Sequence, residues 1–141
     1  MAAVDVYLSL GTNLGKRERN IRIALNFLNL MMGSHYTALS DIIETEAVGF
    51  DGPAFMNCVV RYRTSKSARS ILAICKKIEK EMGRDDAPEY DAQGQRVYHD
   101  RIIDIDILLY GNSHVRSEEI TIPHPQLENR PFFGELISQI S

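Results

Sequence analysis

The most apolar segment of the chain is Ile102-Ile103-Asp104-Ile105-Asp106-Ile107-Leu108-Leu109-Tyr110. Side chains two residues apart lie on the same face of a β-strand. Ile103, Ile105 and Ile107 therefore share one face, and Asp104 and Asp106 share the other. The segment is predicted to be an interior strand that buries its isoleucines and carries two neighbouring carboxylates.

Hydrophobic periodicity upstream of this strand predicts three further strands and two helices. The strands cover residues 4–10, 36–45 and 55–62, and the helices cover residues 21–32 and 68–82. The segment Gly11-Thr12-Asn13-Leu14-Gly15 is expected to interrupt the first strand. The first helix is expected to end near Gly33, and Ser67 is expected to cap the second.

The order β-α-β-β-α-β predicts an α+β, ferredoxin-like fold, with one mostly antiparallel sheet and its helices on one face. A turn at Gly111-Asn112, a short extended piece near Thr121 and a last helix from about Phe132 follow. The length of 141 residues predicts a single domain over residues 1–141.

Composition narrows the classes of function. The chain has 16 basic and 19 acidic residues and a net charge of -3, so a nucleic-acid partner is not expected. No apolar run is long enough for a membrane span, and no secretory signal is visible, so a cytoplasmic protein is expected. Cys58 and Cys75 fall on apolar faces and are predicted to be reduced thiols rather than a disulfide.

The carboxylate pair predicts a metal site. Asp104 and Asp106 repel each other and lose hydration on an interior strand, which nothing about packing requires. Mg²⁺ takes one or two carboxylates and completes its shell with water and phosphate oxygens. The alternative is an edge strand whose outer face is simply solvated.

The stretch between Gly83 and Asp100 has no periodicity and is polar, so it is predicted to be either disordered or a functional lid. Arg84 and Arg101 frame it, and arginine binds phosphate oxygens bidentately. A closing phosphate clamp is one interpretation. Surface solubility explains either arginine alone as well, and the acidic residues of the stretch weaken a lid held by charge.

Two further groups of residues are candidates for binding. Thr45, Phe55, Asn57 and Phe132 could line an aromatic pocket, although both phenylalanines could equally be core residues. His124 lies near Arg130 in a proline-rich loop, where a histidine is often merely exposed. The segment from Gly11 to Arg17 lacks the spacing and the Ser or Thr of a P-loop.

These motifs together resemble those of the 6-hydroxymethyl-7,8-dihydropterin pyrophosphokinase family. The resemblance covers nearly the whole chain in register. Its motifs are Leu10-Gly11-Thr12-Asn13-Leu14-Gly15, Glu44-Thr45, Phe55-Met56-Asn57, Glu79 to Gly83-Arg84, Asp100-Arg101-Ile102-Ile103-Asp104-Ile105-Asp106-Ile107-Leu108, and Pro123-His124 to Asn129-Arg130. The chain departs from the family pattern at Asp100, Tyr98, Glu46, Ala47 and Phe55 and in its short C-terminus.

The resemblance implies a transferase of folate biosynthesis that moves pyrophosphate from ATP to the hydroxymethyl oxygen of the dihydropterin and releases AMP. It implies that Asp104 and Asp106 bind two Mg²⁺ ions and that Arg84 and Arg101 belong to a mobile catalytic loop. The implied ATP site contains Glu79, Ile107, Thr121, His124 and Arg130. The implied pterin site contains Thr45, Val48, Phe55, Asn57 and Phe132.

The residues alone are also compatible with two other classes of function. A non-catalytic ferredoxin-like binding module gives no reason for Asp104 beside Asp106. A metal-dependent phosphoesterase would use the same pair but usually needs more ligands, and the four histidines show no ligand spacing. The expected partners are the two small-molecule substrates, and the expected state is a monomer.

Overall fold

The computed structural model describes residues 2–46, 53–83, 89–90, 92–94, 96–97 and 102–141. Its helices are α1 (Arg17–Met32), α2 (Ala68–Glu81), α3 (Gln126–Asn129) and α4 (Pro131–Gln139). Its strands are β1 (Val4–Thr12), β2 (Ala38–Leu39), β3 (Ile43–Thr45), β4 (Phe55–Thr64), β5 (Glu89–Tyr90), β6 (Arg96–Val97), β7 (Asp104–Tyr110), β8 (Val115–Arg116) and β9 (Thr121–Ile122).

The main sheet has the order β2-β4-β1-β7, and β3 also pairs with β4. Every pairing in it is antiparallel. The strands β5 and β6 form one two-stranded sheet, and β8 and β9 form another. Helices mixed with an open antiparallel sheet confirm the predicted α+β class.

The main sheet is covered on both faces, which corrects the prediction that its helices share one face. One apolar cluster joins α1 and α2 to the sheet through Leu8, Val60 and Ile105. A second cluster joins α4 to Val59 and Leu108. Neighbouring strand residues such as Val59 and Val60 therefore pack against different helices, as the alternation of a strand requires.

The first strand is longer than predicted. Gly11 and Thr12 were expected to interrupt it, but Gly11 pairs with Asn57 of β4 and with Asp104 of β7. The prediction was wrong because hydrogen bonding to strands on both sides of β1 outweighs the low strand preference of glycine. The helix α1 ends as predicted, because Gly33 adopts the left-handed conformation with a φ of 73°.

The predicted strand over residues 36–45 is split into β2 and β3. Ser40 lies between them, and its backbone amide donates to the Val59 carbonyl at 2.9 Å. Its side-chain Oγ accepts a hydrogen bond from the Val59 amide at 2.8 Å. A side chain thus replaces one backbone acceptor of the ladder, which ends regular pairing at this point.

The second helix begins as the sequence indicates, because the Ser67 Oγ accepts a hydrogen bond from the Ser70 amide at 3.1 Å. Its buried residues are Ile71, Cys75, Ile78 and Glu79. Three of them are apolar and the fourth is a carboxylate. The short helix α3 was not predicted.

The strand β7 lies at the end of the main sheet among the described residues, not in its interior as predicted. Its apolar side is nevertheless buried, since Ile103, Ile105 and Ile107 are at most 3% exposed. The packing of α2 against this strand supplies the burial of the isoleucines.

Cys58 and Cys75 are both free and buried, as predicted. Within the described residues, no helix has the length and apolarity needed to cross a membrane.

Candidate functional site

The proposed metal and pterin residues meet on one face of the main sheet. Gly11 on β1 is paired with Asn57 on one side and with Asp104 on the other. Two residues earlier on β1, Ser9 is paired with Val59 and with Asp106. Asn57 and Asp104 thus lie in one row across three strands, one strand apart from each other.

Asp104 and Asp106 are half-buried on this face. The isoleucines that alternate with them are buried against the helices on the opposite face. The predicted separation of carboxylates from the apolar stripe is therefore present, and the two side chains stand beside each other as neighbours along a strand.

His124 lies next to the carboxylate pair, and its Nε2 is 3.8 Å from Asp106 Oδ1. Its backbone amide donates to the Leu108 carbonyl at 3.0 Å, which attaches the loop after β9 to β7. Its Nδ1 accepts a hydrogen bond from the Gln126 amide at 3.1 Å. Because Nδ1 is an acceptor, the neutral ring carries its proton on Nε2, the atom that faces Asp106.

The environment of His124 favours the neutral imidazole. Burial lowers its pKa most, and the positive charge of Arg130 lowers it further. The carboxylate of Asp104 opposes both effects. The structure thus brings together Asp104, Asp106, His124 and Arg130, four of the residues that the sequence selected.

Glu79 is a buried carboxylate, only 3% exposed, on the other side of β7. Its Oε2 accepts a hydrogen bond from the backbone amide of Ile105 at 2.9 Å. Ile105 lies between the two aspartates in sequence. Glu79 therefore contacts the backbone of the strand that bears the carboxylate pair.

Asn57 and Thr45 form the best-defined part of the predicted pterin site. Asn57 is buried, and its Nδ2 donates a hydrogen bond to Thr45 Oγ1 at 2.6 Å. Phe55 is half-buried and is paired with Thr45 across β3 and β4. The contact from Thr45 to Asn57 involves the side-chain hydroxyl of Thr45.

The remaining predicted residues are more dispersed. Phe132 is half-buried at the start of α4, with its ring centroid 4.4 Å from that of Phe133. Thr121 lies on β9, paired with Arg116. The side chain of Ile107 is 3% exposed in the core, so only its backbone is available on the site face. Val48, Arg84 and Arg101, and most of the predicted lid, lie outside the described residues.

The sequence analysis did not predict the contacts that Asn13 and Arg17 make. Asn13 is 1% exposed and donates from Nδ2 to the Pro53 carbonyl at 3.1 Å. Arg17 Nη1 donates to Glu44 Oε1 at 2.7 Å and to the Ala54 carbonyl at 2.8 Å. These bonds fix the start of α1 against β3 and the approach to β4. All three partners are distant in sequence, so no local signal could reveal these bonds.

Ser9 and Gly11 had a signal that was overlooked. Continuing the alternation of Val4, Val6, Leu8 and Leu10 places residues 9 and 11 on the opposite face. Two small residues on that face indicate a place where a ligand or another group approaches the sheet closely.

The carboxylate oxygens of Asp104 and Asp106 are of the ligand type that Mg²⁺ prefers. Asp104 and Asp106 are hard oxygen ligands on one half-buried face. Among the described residues, no group of three or more His, Cys, Asp or Glu side chains could hold a metal ion. Two neighbouring carboxylates match the preference of Mg²⁺ for one or two carboxylates plus water and substrate phosphates.

Comparison with known proteins gives a consistent result. Residues 7–141 match the family model for 7,8-dihydro-6-hydroxymethylpterin-pyrophosphokinase. The 2-amino-4-hydroxy-6-hydroxymethyldihydropteridine pyrophosphokinase of Porphyromonas gingivalis is 42% identical over 138 residues, which are 96% of this chain and 90% of that protein. The Bacillus subtilis protein of the same name is 32% identical, over 95% of this chain and 76% of its own length.

A longer plant protein is also similar. The mitochondrial folate synthesis bifunctional protein of Pisum sativum is 39% identical over 91% of this chain, which is 23% of the plant protein. The family model and the relatives named as pyrophosphokinases place the chain in the class of transferases. Within that class, the chain belongs to the 7,8-dihydro-6-hydroxymethylpterin-pyrophosphokinase family.

Proposed function

We propose that this protein transfers the pyrophosphoryl group of ATP to the hydroxymethyl oxygen of 6-hydroxymethyl-7,8-dihydropterin. In this step the substrate oxygen forms a bond to the β-phosphorus, and the bond between that phosphorus and the oxygen of AMP breaks. The hydroxyl proton is released and AMP leaves. The reaction needs positioning and charge neutralisation rather than a covalent nucleophile.

The observation that carries this proposal is the row of Asn57, Gly11 and Asp104 across β4, β1 and β7. The Asn57 amide would bind a flat heterocycle, and the Asp104 carboxylate would lie at the phosphate end of the substrate. One strand, β1, separates the two residues. Strands in a sheet are about 4.8 Å apart, so the row spans roughly 10 Å. That distance suits a substrate whose reacting group lies beside its ring.

We further propose that Asp104 and Asp106 hold two Mg²⁺ ions, which would neutralise charge on the phosphate oxygens. His124, Arg130, Glu79, Thr121 and the backbone of Ile107 are proposed to form the ATP site. The neutral His124 keeps its Nε2 proton available for donation. Arg84 and Arg101 are proposed, from the resemblance alone, to contact the transferring group.

Asn57 is proposed to bind the amide edge of the pterin, with Thr45 fixing the orientation of its side chain. Phe55 and Phe132 would stack on the two faces of the ring, and Val48 would contribute main-chain contacts. Stacking on an aromatic side chain is worth roughly 1–3 kcal/mol per base in nucleic-acid complexes, and a pterin has a comparable π-face.

We propose further that the chain is a single ferredoxin-like domain. The strand order β2-β4-β1-β7 supports a ferredoxin-like sheet to which α4 has been added on the second face. One sheet that contributes to both apolar clusters supports a single domain. The net charge of -3 supports a protein without a nucleic-acid partner. We also propose that the protein is a cytoplasmic monomer with no membrane partner.

The test of the activity is an assay with protein, ATP, Mg²⁺ and reduced hydroxymethylpterin. AMP and the pterin diphosphate should form in equal amounts, and omission of the pterin should abolish AMP formation. ADP as the nucleotide product would indicate a single phosphoryl transfer. Release of inorganic phosphate in the absence of pterin would instead indicate a phosphoesterase.

A further inference from the structure

Gly11 occupies the centre of the site face, yet its backbone does not need glycine. Its φ is not positive, whereas Gly15, Gly33, Gly83, Gly94 and Gly111 all have positive φ. Glycine in the interior of a strand is unfavourable, since it provides no side chain for packing and loses more conformational entropy on folding. A reason other than backbone conformation is therefore needed at this position.

The space above Gly11 supplies that reason. A Cβ added to Gly11 would lie 2.8 Å from Asn57 Oδ1 and 3.6 Å from Phe55 Cδ1. The first distance is shorter than van der Waals contact allows, and the second is an ordinary contact. The amide oxygen of Asn57 thus occupies the space that any side chain at position 11 would need.

Asn57 cannot move away from such a side chain without a loss. Its Nδ2 donates to Thr45 Oγ1 at 2.6 Å, and the residue is 6% exposed. Rotation of the amide away from Gly11 would break this hydrogen bond in a buried environment. A buried polar group that loses its partner carries most of its desolvation penalty.

We propose that Gly11 is a positioning residue of the pterin site. The absence of a side chain at position 11 lets the Asn57 amide lie against the backbone of β1, in the orientation that Thr45 fixes. This inference rests on the proposed function, because it assigns the role of Gly11 through the pterin contact of Asn57.

The test compares Gly11→Ala with the wild type by calorimetric titration of ATP and of the hydroxymethylpterin. Loss of the hydrogen bond between Asn57 and Thr45 predicts a rise of about tenfold in the pterin dissociation constant. The ATP dissociation constant should change by less than about twofold, which is within the variation of neutral surface substitutions. Equal weakening of both ligands would overturn the proposal.

Coupling to Asn57 separates positioning from a general structural role. In an Asn57→Ala background the amide oxygen is absent, so adding Gly11→Ala should weaken pterin binding by less than about twofold more. Non-additivity of this kind is the signature of residues that act through one contact. Additive losses would overturn the proposal. If Gly11→Ala alone does not fold, the double variant should fold, because the clash is removed; its failure to fold would also overturn the proposal.

Gly134 provides the matched control. It lies in α4 with no positive φ, and a Cβ added there would meet nothing within 4 Å. Gly134→Ala should leave both dissociation constants unchanged.

The wild-type assay distinguishes failure of the proposed function from failure of the role assigned to Gly11. No AMP from the wild type would remove the proposed function, whereas AMP production together with unchanged pterin affinity in Gly11→Ala would overturn only the role of Gly11.

Discussion

The Oε2 of Glu79 accepts a hydrogen bond from the backbone amide of Ile105 at 2.9 Å. The bond joins α2 to β7 at the residue between Asp104 and Asp106. Glu79 is 3% exposed. A buried carboxylate is costly unless it is hydrogen-bonded. Its position indicates that α2 helps to fix the strand that carries the two aspartates.

Removal of the Glu79 carboxylate should destabilise this strand. Glu79→Ala leaves the Ile105 amide without this acceptor, so we expect the free energy of unfolding to fall by about 1–3 kcal/mol. Glu79→Gln keeps a side-chain acceptor and should lose less. Urea unfolding of the two variants measures the difference. Glu81→Ala, at an exposed position of the same helix, is the control and should have little effect.

If Glu79→Ala were as stable as the wild type, the hydrogen bond to Ile105 would make no net contribution. Measuring ATP binding in the same variants also tests the proposed nucleotide contact. A loss of ATP affinity in Glu79→Gln without a loss of stability would support direct contact. If the ATP affinity instead falls in step with stability in both variants, Glu79 acts on ATP binding indirectly, through β7.

The aspartates should be needed for turnover and not for folding. Asp104→Asn and Asp106→Asn each remove a charge proposed to bind Mg²⁺, so turnover should fall by roughly 100-fold or more. Stability should change little, because one of two repelling carboxylates is removed. Initial rates over a range of Mg²⁺ concentrations measure the effect. Asp5→Asn, a surface residue that pairs with Arg63 at 3.4 Å, is the control.

Wild-type rates at limiting Mg²⁺ in either aspartate variant would contradict the metal assignment. A large loss in Asp5→Asn would instead indicate that turnover responds to the overall charge of the protein rather than to the pair.

The hydroxyl of Thr45 should contribute to pterin binding through Asn57. Thr45→Val removes the acceptor for Asn57 Nδ2 while keeping the shape of the side chain. A part-buried hydrogen bond of this kind contributes about 0.5–1.5 kcal/mol, so the pterin dissociation constant should rise by roughly two- to tenfold. Thr45→Ser retains the hydroxyl and should bind more tightly than Thr45→Val. Calorimetric titration checks the order of the three affinities.

The two buried thiols should be unreactive in the native protein. Burial raises the pKa of Cys58 to about 12. Burial also raises the pKa of Cys75, and the charge of Glu79 raises it further. A raised pKa keeps both groups as thiols at pH 8, and the thiolate is the reactive form. Mass spectrometry after iodoacetamide treatment should show no adduct in the native state and two adducts in urea.

Rapid alkylation of either cysteine in the folded protein would contradict this expectation. It would show that the apolar cluster between the sheet and helices α1 and α2 opens readily. Glu79→Ala tests this expectation further. The charge of Glu79 raises the pKa of Cys75 on α2, so its removal should increase the reactivity of Cys75 more than that of Cys58 on β4.

The strands and helices with clear periodicity could be predicted from sequence. The β4 alternation and the Ser67 cap are local properties, and both appear in the structure. The split at Ser40 could not be predicted, because it depends on a hydrogen bond to Val59, 19 residues away. The continuation of β1 through Gly11 also depends on partners far along the chain.

The candidate site shows the same division. The sequence selected Asp104, Asp106, Asn57 and Thr45 from residue type, strand phase and the family resemblance. It selected Ile107 from the resemblance alone, and the structure buries that side chain in the core. It placed β7 in the interior of the sheet because the segment is so apolar, whereas the structure buries the apolar face with α2 and leaves β7 at the end of the sheet among the described residues.

The sequence by itself determined the α+β class, the two faces of each long strand and the family. These follow from periodicity, capping and motifs, which are properties of neighbouring residues. Only the tertiary structure decided that Asn57, Gly11 and Asp104 share one row, that Glu79 contacts Ile105 and that α4 covers the second face. Register and helix docking depend on contacts between residues far apart along the chain, and no local pattern encodes those distances.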